Sequence, residues 1–198
     1  MTDLERALAG IAEVRDRLGH LQRFKGYSAL AAGVSGAFAI LTGIVQAVIV
    51  PQPRTPHEGH LYFALWFACG AASALVNYGA IAHWFVSDAS ARDRWQTATV
   101  GYAILPAIVL GSALSFALFF ASRYAFLPGV WFGCYGVGLF ASRTMIPRGA
   151  VRVAAAFLLA GIALLFAPPG VALSWWVLPI GFGFGQIAIA ALILRDRA

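Results

Sequence analysis

The sequence predicts an all-α, polytopic membrane bundle of six transmembrane helices behind a short N-terminal amphipathic cytoplasmic helix. Three observations predict it. Of the 198 residues, 61% are hydrophobic and 11% are charged, under half the roughly 25% charge of an ordinary globular domain. Mean hydropathy is +0.79. Asp, Glu, Lys and Arg are missing from five long stretches, 26–53, 59–87, 95–122, 124–142 and 153–194, and the basic residues gather between alternate ones. This composition excludes a soluble enzyme, a disordered chain and a nucleic-acid binder. The net charge of +6 is a matter of topology.

Residues 1–26 form the cytoplasmic helix. Thr2 and Glu5 have the spacing of a capping box, in which each side chain binds the other's backbone N–H. Leu4, Ala7, Ile11, Val14, Leu18 and Leu21 then recur three and four residues apart, as in a heptad seam. The polar face mixes Asp3, Glu5, Glu13 and Asp16 with Arg6, Arg15 and Arg17. A helix resting on anionic lipid normally shows a basic face. The seam through Leu4, Ile11, Val14, Leu18 and Leu21 therefore reads as a protein contact, with this chain's own loops, a second copy or a partner.

A spanning helix takes about 20 apolar residues. The charge gaps give spans at about 27–50, 61–86, 97–121 and 125–143. The last gap is too long for one helix. Pro168-Pro169-Gly170 divides it into 150–167 and 173–194, because proline lacks a donor and glycine tolerates positive φ. The runs are continuously apolar rather than alternating, which argues against barrel strands. A helix also satisfies its own backbone in lipid.

Lys and Arg in short loops mark the cytoplasmic side. Six spans place Arg6, Arg15, Arg17, Arg23, Lys25, Arg92, Arg94, Arg143, Arg148, Arg152, Arg195 and Arg197 together, and leave only Arg54 and Arg123 opposite. Both termini are then cytoplasmic in a multi-pass protein of a bacterial inner membrane. Tyr27, Trp84 and Trp95 fall near the inner interface; Tyr62, Tyr124, Trp131, Trp175 and Trp176 fall near the outer one, a depth that suits an apolar ring with a polar tip. The first apolar run begins only near residue 26, behind four acids, so no cleavable signal peptide is expected.

Small residues let membrane helices approach closely. Gly129 with Gly133, Gly181 with Gly185, and Gly70 with Ala74 have the required spacing, and the spans read as three hairpins. Pro106 is expected to kink the third span, and Cys69 and Cys134 to act as small apolar packers.

Candidate chemistry is sparse. No charged residue occupies the middle of a span, which counts against a proton-driven transporter or a voltage sensor. Asn77 and Gln186 come out at similar depths near mid-membrane, with Tyr78 and Tyr135 near that level and Gln46 toward the outer end. Such amides either line a small-molecule pocket or bond across helices, and the second is the commoner use. His83 is a haem-ligand type, but no other span offers a second histidine; an interfacial imidazole is the plainer reading. His57-Glu58-Gly59-His60 has its histidines at i,i+3, not the i,i+4 of a zinc-protease helix. With no fourth ligand it reads as a solvated loop, and no metal or cofactor is expected. Gly181-Phe182-Gly183-Phe184-Gly185 lacks the strand of a dinucleotide loop and the re-entrant context of a filter. It reads as packing glycines with core phenylalanines.

Tyr27 to Gly43 (YSALAAGVSGAFAILTG) and Trp176 to Leu192 (WVLPIGFGFGQIAIAAL) resemble segments of a loose family of uncharacterised bacterial six-span inner-membrane proteins with a short charged N-terminal helix. The resemblance implies this layout and carries no activity or functional residue. The expected role is that of a non-enzymatic protein acting through self-assembly or a membrane or cytosolic partner. The alternatives are a carrier or channel for a small neutral or lipophilic solute, using Asn77, Tyr78, Tyr135 and Gln186, and a haem or quinone protein centred on His83.

Overall fold

The computed structural model describes residues 28–87, 89–143, 146–147 and 149–197. The expected helix of residues 1–26, with Leu4, Ile11, Val14, Leu18 and Leu21, lies outside the described residues. Regular structure among the described residues is entirely helical. Six helices carry the fold: α1 Ala29–Ile49, α2 Pro56–Ser87, α3 Ala91–Phe120, α4 Leu127–Ala141, α5 Ala150–Leu165 and α6 Phe184–Arg197. A 3-10 turn, Tyr124–Phe126, leads into α4, and a π-helical segment, Pro179–Gly183, leads into α6. Four stretches are long and apolar enough to cross a membrane: Ala29–Ile49, Pro56–Ser87, Asp93–Phe120 and Tyr124–Ala141. Ala150–Leu165 and Pro179–Arg195 are apolar but shorter.

Capping chemistry sets the ends. Ser28 Oγ accepts the Ala31 N–H at 3.2 Å and opens α1. α2 begins at Pro56, not at 61. The Glu58 carboxylate accepts the N–H groups of Arg54 (2.6 Å) and Thr55 (3.0 Å), and Thr55 Oγ1 accepts the Glu58 N–H (3.3 Å). Proline fits the first helical position, where no donor is needed. His57-Glu58-Gly59-His60 is thus the first turn of α2 and not a loop. α3 begins at Ala91, not at 97, because Ser90 and Asp93 make a reciprocal capping box. The expected 87–96 loop shrinks accordingly. At 1.5 Å per residue α2 and α3 are about 48 and 45 Å long, against about 30 Å of bilayer hydrocarbon. Ser122, at φ 54°, stops α3 in the left-handed conformation usual past a helix end.

The last helix departs most from expectation. A single turn, Pro169–Ala172, follows Pro168, and the chain bends through Ser174 to Trp176 before helix resumes at 177. Pro179 then withholds an N–H, and the ladder widens into the π segment.

Each helix touches its chain neighbours, and the π segment with α6 returns to α1, so the six form a ring. α4 against α5 is the most extensive contact, while α2–α3 and α5–α6 are thin. The third of the expected hairpins, α5 with α6, is therefore barely a packed unit. Two apolar layers fill the ring. One gathers Ala39, Tyr62, Phe63, Trp66, Leu127, Phe132, Phe157 and Leu178. The other gathers Ala32, Leu139, Ala150, Ala154, Ile189 and Ile193. Tyr62 and Tyr124 are buried in the first layer, and their hydroxyls have no hydrogen-bond partner among the described residues. Trp131 donates its indole N–H to Ser115 Oγ at 2.8 Å.

Glycine decides the α4–α5 contact. A Cβ added at Gly161 would stand 2.7 Å from the Gly133 nitrogen and 3.0 Å from the Gly129 carbonyl oxygen. Backbone meets backbone there, so nothing soft can yield. Gly161→Val is expected to lower stability by about 1–3 kcal/mol, read as a fall in thermal midpoint in detergent. Gly33→Ala, with nothing within 4 Å of the new carbon, should be neutral or stabilising under the same measurement. Tyr62→Phe removes an unpaired buried hydroxyl and should leave the midpoint equal or higher.

Candidate functional site

The bundle has two unlike ends. At the basic end α1 starts, α2 turns into α3, α4 leads to α5, and α6 finishes. The far end holds Arg54 and Arg123.

Between the ends, the predicted amides are placed at a shared level but on two faces of α1. Asn77 Nδ2 donates to Ser35 Oγ (2.6 Å) and to the Ser73 carbonyl (2.8 Å). Gln186 Nε2 donates to the Tyr135 hydroxyl at 2.9 Å. Ser35 turns toward α2, whereas a Cβ on Gly36 would meet Gln186 Cβ at 3.3 Å. The two polar pairs therefore do not join. Tyr135 lies among Phe157 and Phe182, with ring centroids 4.7 and 5.4 Å away. Tyr78 is exposed on α2 and takes no part in either pair. His83 is exposed near the basic end of α2, where its carbonyl accepts the Ser87 hydroxyl at 2.8 Å. It faces away from the core. No group of three or more His, Cys, Asp or Glu among the described residues is arranged to hold a metal.

The glycine-phenylalanine run is packing for the most part. Added Cβ atoms at Gly181, Gly183 and Gly185 would meet Phe132, Ile40 and Phe157 respectively. Phe182 sits among Phe132, Tyr135 and Phe157. Phe184, expected in the core, is exposed.

Toward the far end the third amide, Gln46, bonds across helices. Gln46 is completely buried. Its Nε2 donates to the Leu173 carbonyl (2.9 Å), and its Oε1 accepts the Trp66 indole N–H (2.7 Å). One amide thus fastens α1 to α2 and to the segment before the π helix. Beside it, Gln52 Nε2 and Ser174 Oγ both donate to the Gly170 carbonyl, at 2.7 and 2.6 Å. These bonds wall a cleft of about 540 Å³ lined by Ile49, Arg54, Glu58, Trp175 and Trp176 among others. Arg54 reaches only Gln52 Oε1, at 3.4 Å. The signal for this corner was present in the sequence as Thr55-Pro56-His57-Glu58, a second capping box with proline at the first helical position.

A third surface is the α2–α3 hairpin. No residue of α2 from Phe67 to Ser87 is buried. Ala64, Ala68, Ala71, Leu75, Gly79 and Ala82 form one exposed stripe at helical spacing. Gly70, expected to pack within the bundle with Ala74, does not: around Gly70, Gly79 and Gly101 nothing lies within 4 Å of an added Cβ, while Ala74 is half-buried. Arg94 stacks over the Phe85 ring at 5.2 Å and links the two arms. Cys69 and Cys134 are free and half-buried.

No family model, curated protein or solved structure matches the chain. The class defined by the fold is that of an all-helical protein, with four helices of membrane-crossing length and apolarity among the described residues.

The two kinds of amide should separate on substitution. Gln46→Leu orphans a buried indole N–H and a buried carbonyl, at about 1–3 kcal/mol for each. Gln186→Leu releases one partly exposed pair and should cost about 1 kcal/mol or less. Equilibrium unfolding in detergent checks the order.

Proposed function

We propose that this chain is a six-span protein of a bacterial inner membrane, with both termini cytoplasmic, that works by self-association through its α2–α3 hairpin and N-terminal helix. The observation that carries the proposal is the uncovered small-residue stripe of α2. Where helices pack inside the bundle, as at Gly36, Gly129, Gly136 and Gly161, a neighbour stands against the missing side chain. Around Gly70 and Gly79 of α2 nothing lies within 4 Å of an added Cβ, although small residues are what lets membrane helices pair closely. Lipid alone requires only apolar side chains, and large ones serve it well.

Two further features support the proposal. The arginines sort to one end of the six-helix layout, as expected of cytoplasmic loops. That end is also where the long α2–α3 hairpin outruns the hydrocarbon and where residues 1–26 join the bundle. A second copy paired along α2 brings two heptad seams, on Leu4, Ile11, Val14, Leu18 and Leu21, to the same side of the membrane. Seam and stripe then act in one assembly. The short helices α5 and Pro179–Arg195 cross by modest local thinning of the bilayer, at fractions of a kcal/mol per Å.

The test is mass in native nanodiscs or mild detergent. The wild-type chain should run as an oligomer. Gly79→Leu with Ala82→Leu should shift it to single-chain mass with helical content unchanged, and deletion of residues 1–22 should weaken association in the same direction. A wild-type chain already at single-chain mass, or an oligomer indifferent to both changes, overturns the proposal.

A further inference from the structure

We infer that the far-end cleft is a binding site for a zwitterion carrying an anionic phosphate and an ammonium, supplied as the head group of an aminophospholipid. The inference goes beyond self-association and rests only on the membrane placement.

Three observations carry it. First, the cleft is built. Its walls are held by the Gln46, Gln52 and Ser174 bonds, two of which converge on the Gly170 carbonyl. At about 540 Å³ it falls within the ordinary range of ligand pockets, about 300–1,000 Å³.

Second, it presents opposite charges that lie in one another's field without meeting as an ion pair. Arg54 and Glu58 both line it and form no ion pair together. Glu58 Oε2 is taken by the backbone N–H groups of Arg54 and Thr55, while Oε1 accepts no hydrogen bond from the described residues. The Arg54 guanidinium has one long contact, 3.4 Å to Gln52 Oε1. A guanidinium fork matches phosphate oxygens in pairs. The remaining Glu58 oxygen suits an ammonium, and the indole rings of Trp175 and Trp176, each half-exposed on the same cleft, suit it too through cation–π attraction.

Third, the cleft opens onto an apolar track. Ile49 lines it and is exposed, and Val48, Val45, Ile44 and Leu41 continue the exposed strip down α1. Acyl chains leaving a seated head group have that strip to lie on. A free zwitterion makes no use of it, which favours lipid as the source.

The probes are phosphatidylethanolamine, phosphatidylglycerol and free phosphoethanolamine, each added to the full chain in detergent and read by native mass spectrometry. The wild type should hold phosphatidylethanolamine about tenfold more tightly than phosphatidylglycerol. Arg54→Gln should weaken both lipids. Glu58→Gln keeps an amide oxygen for the helix cap, so it should weaken phosphatidylethanolamine alone and erase the preference. Free phosphoethanolamine competing as strongly as the lipid sustains the zwitterion site and transfers its source to solution. Equal retention of the two lipids by the wild type, or a folded Arg54→Gln chain that retains both unchanged, overturns the inference. None of these readouts depends on oligomeric mass.

Discussion

The far end depends on the side chain of Gln46. A buried amide must spend both its donor and its acceptor, because an unpaired polar group away from water costs about 1–3 kcal/mol. Gln46 spends them on Trp66 of α2 and on the carbonyl of Leu173. The Leu173 bond closes the ring of helices, since it draws the segment after α5 back against the end of α1. With that segment fixed, Gly170 lies where Gln52 and Ser174 both reach it, and Trp175 and Trp176 come to flank Arg54. The cleft is a consequence of that closure.

Closure at the middle of the bundle relies on the absence of side chains. Gly36 and Gly183 let α1 meet the π segment so closely that a Cβ on Gly36 would stand 2.8 Å from the Gly183 carbonyl oxygen. The π turn itself follows from Pro179, which cannot donate, and its widened ladder leaves room for the Phe132 ring over Gly181. Proline, glycine and phenylalanine thus cooperate at one place. Taken singly, each would read as a helix breaker, a flexible point and a core filler.

That cooperation explains which parts of the structure were legible in the sequence. Helix positions followed from uninterrupted apolar runs, because lipid-compatible backbone has few alternatives to the helix. Helix ends were harder. The proline- and histidine-rich 51–60 region has loop composition, yet Thr55 and Glu58 cap it into α2, and Arg92, Asp93 and Arg94 hid the start of α3 by holding the charge-free run back to residue 95. The onset of α6 was misplaced because Trp175 and Trp176 are as apolar as any helix interior, and hydropathy does not register a bend. Asn77 and Gln186 do share a level, beside Ser35 and Gly36 of α1, since rise per residue fixes that. Their separation by α1 was not legible, because depth says nothing about azimuth. Gln46 looked peripheral for the same reason: its importance comes from Leu173, 127 positions away in the chain.

Small residues show most sharply how context decides meaning. Gly129 and Gly161 are answered across the α4–α5 contact by each other's backbone and by that of Gly133, and there the missing side chain is a structural necessity. Gly70 and Gly79 have the same chemistry and the same helical setting, but nothing stands opposite them. A glycine inside an exposed helix costs roughly 1 kcal/mol relative to alanine, and these two bring no compensating contact within a single chain. The compensation available in a bilayer is another helix. The close packing that joins α4 to α5 has no counterpart along α2 from Phe67 to Ser87, where no residue is buried.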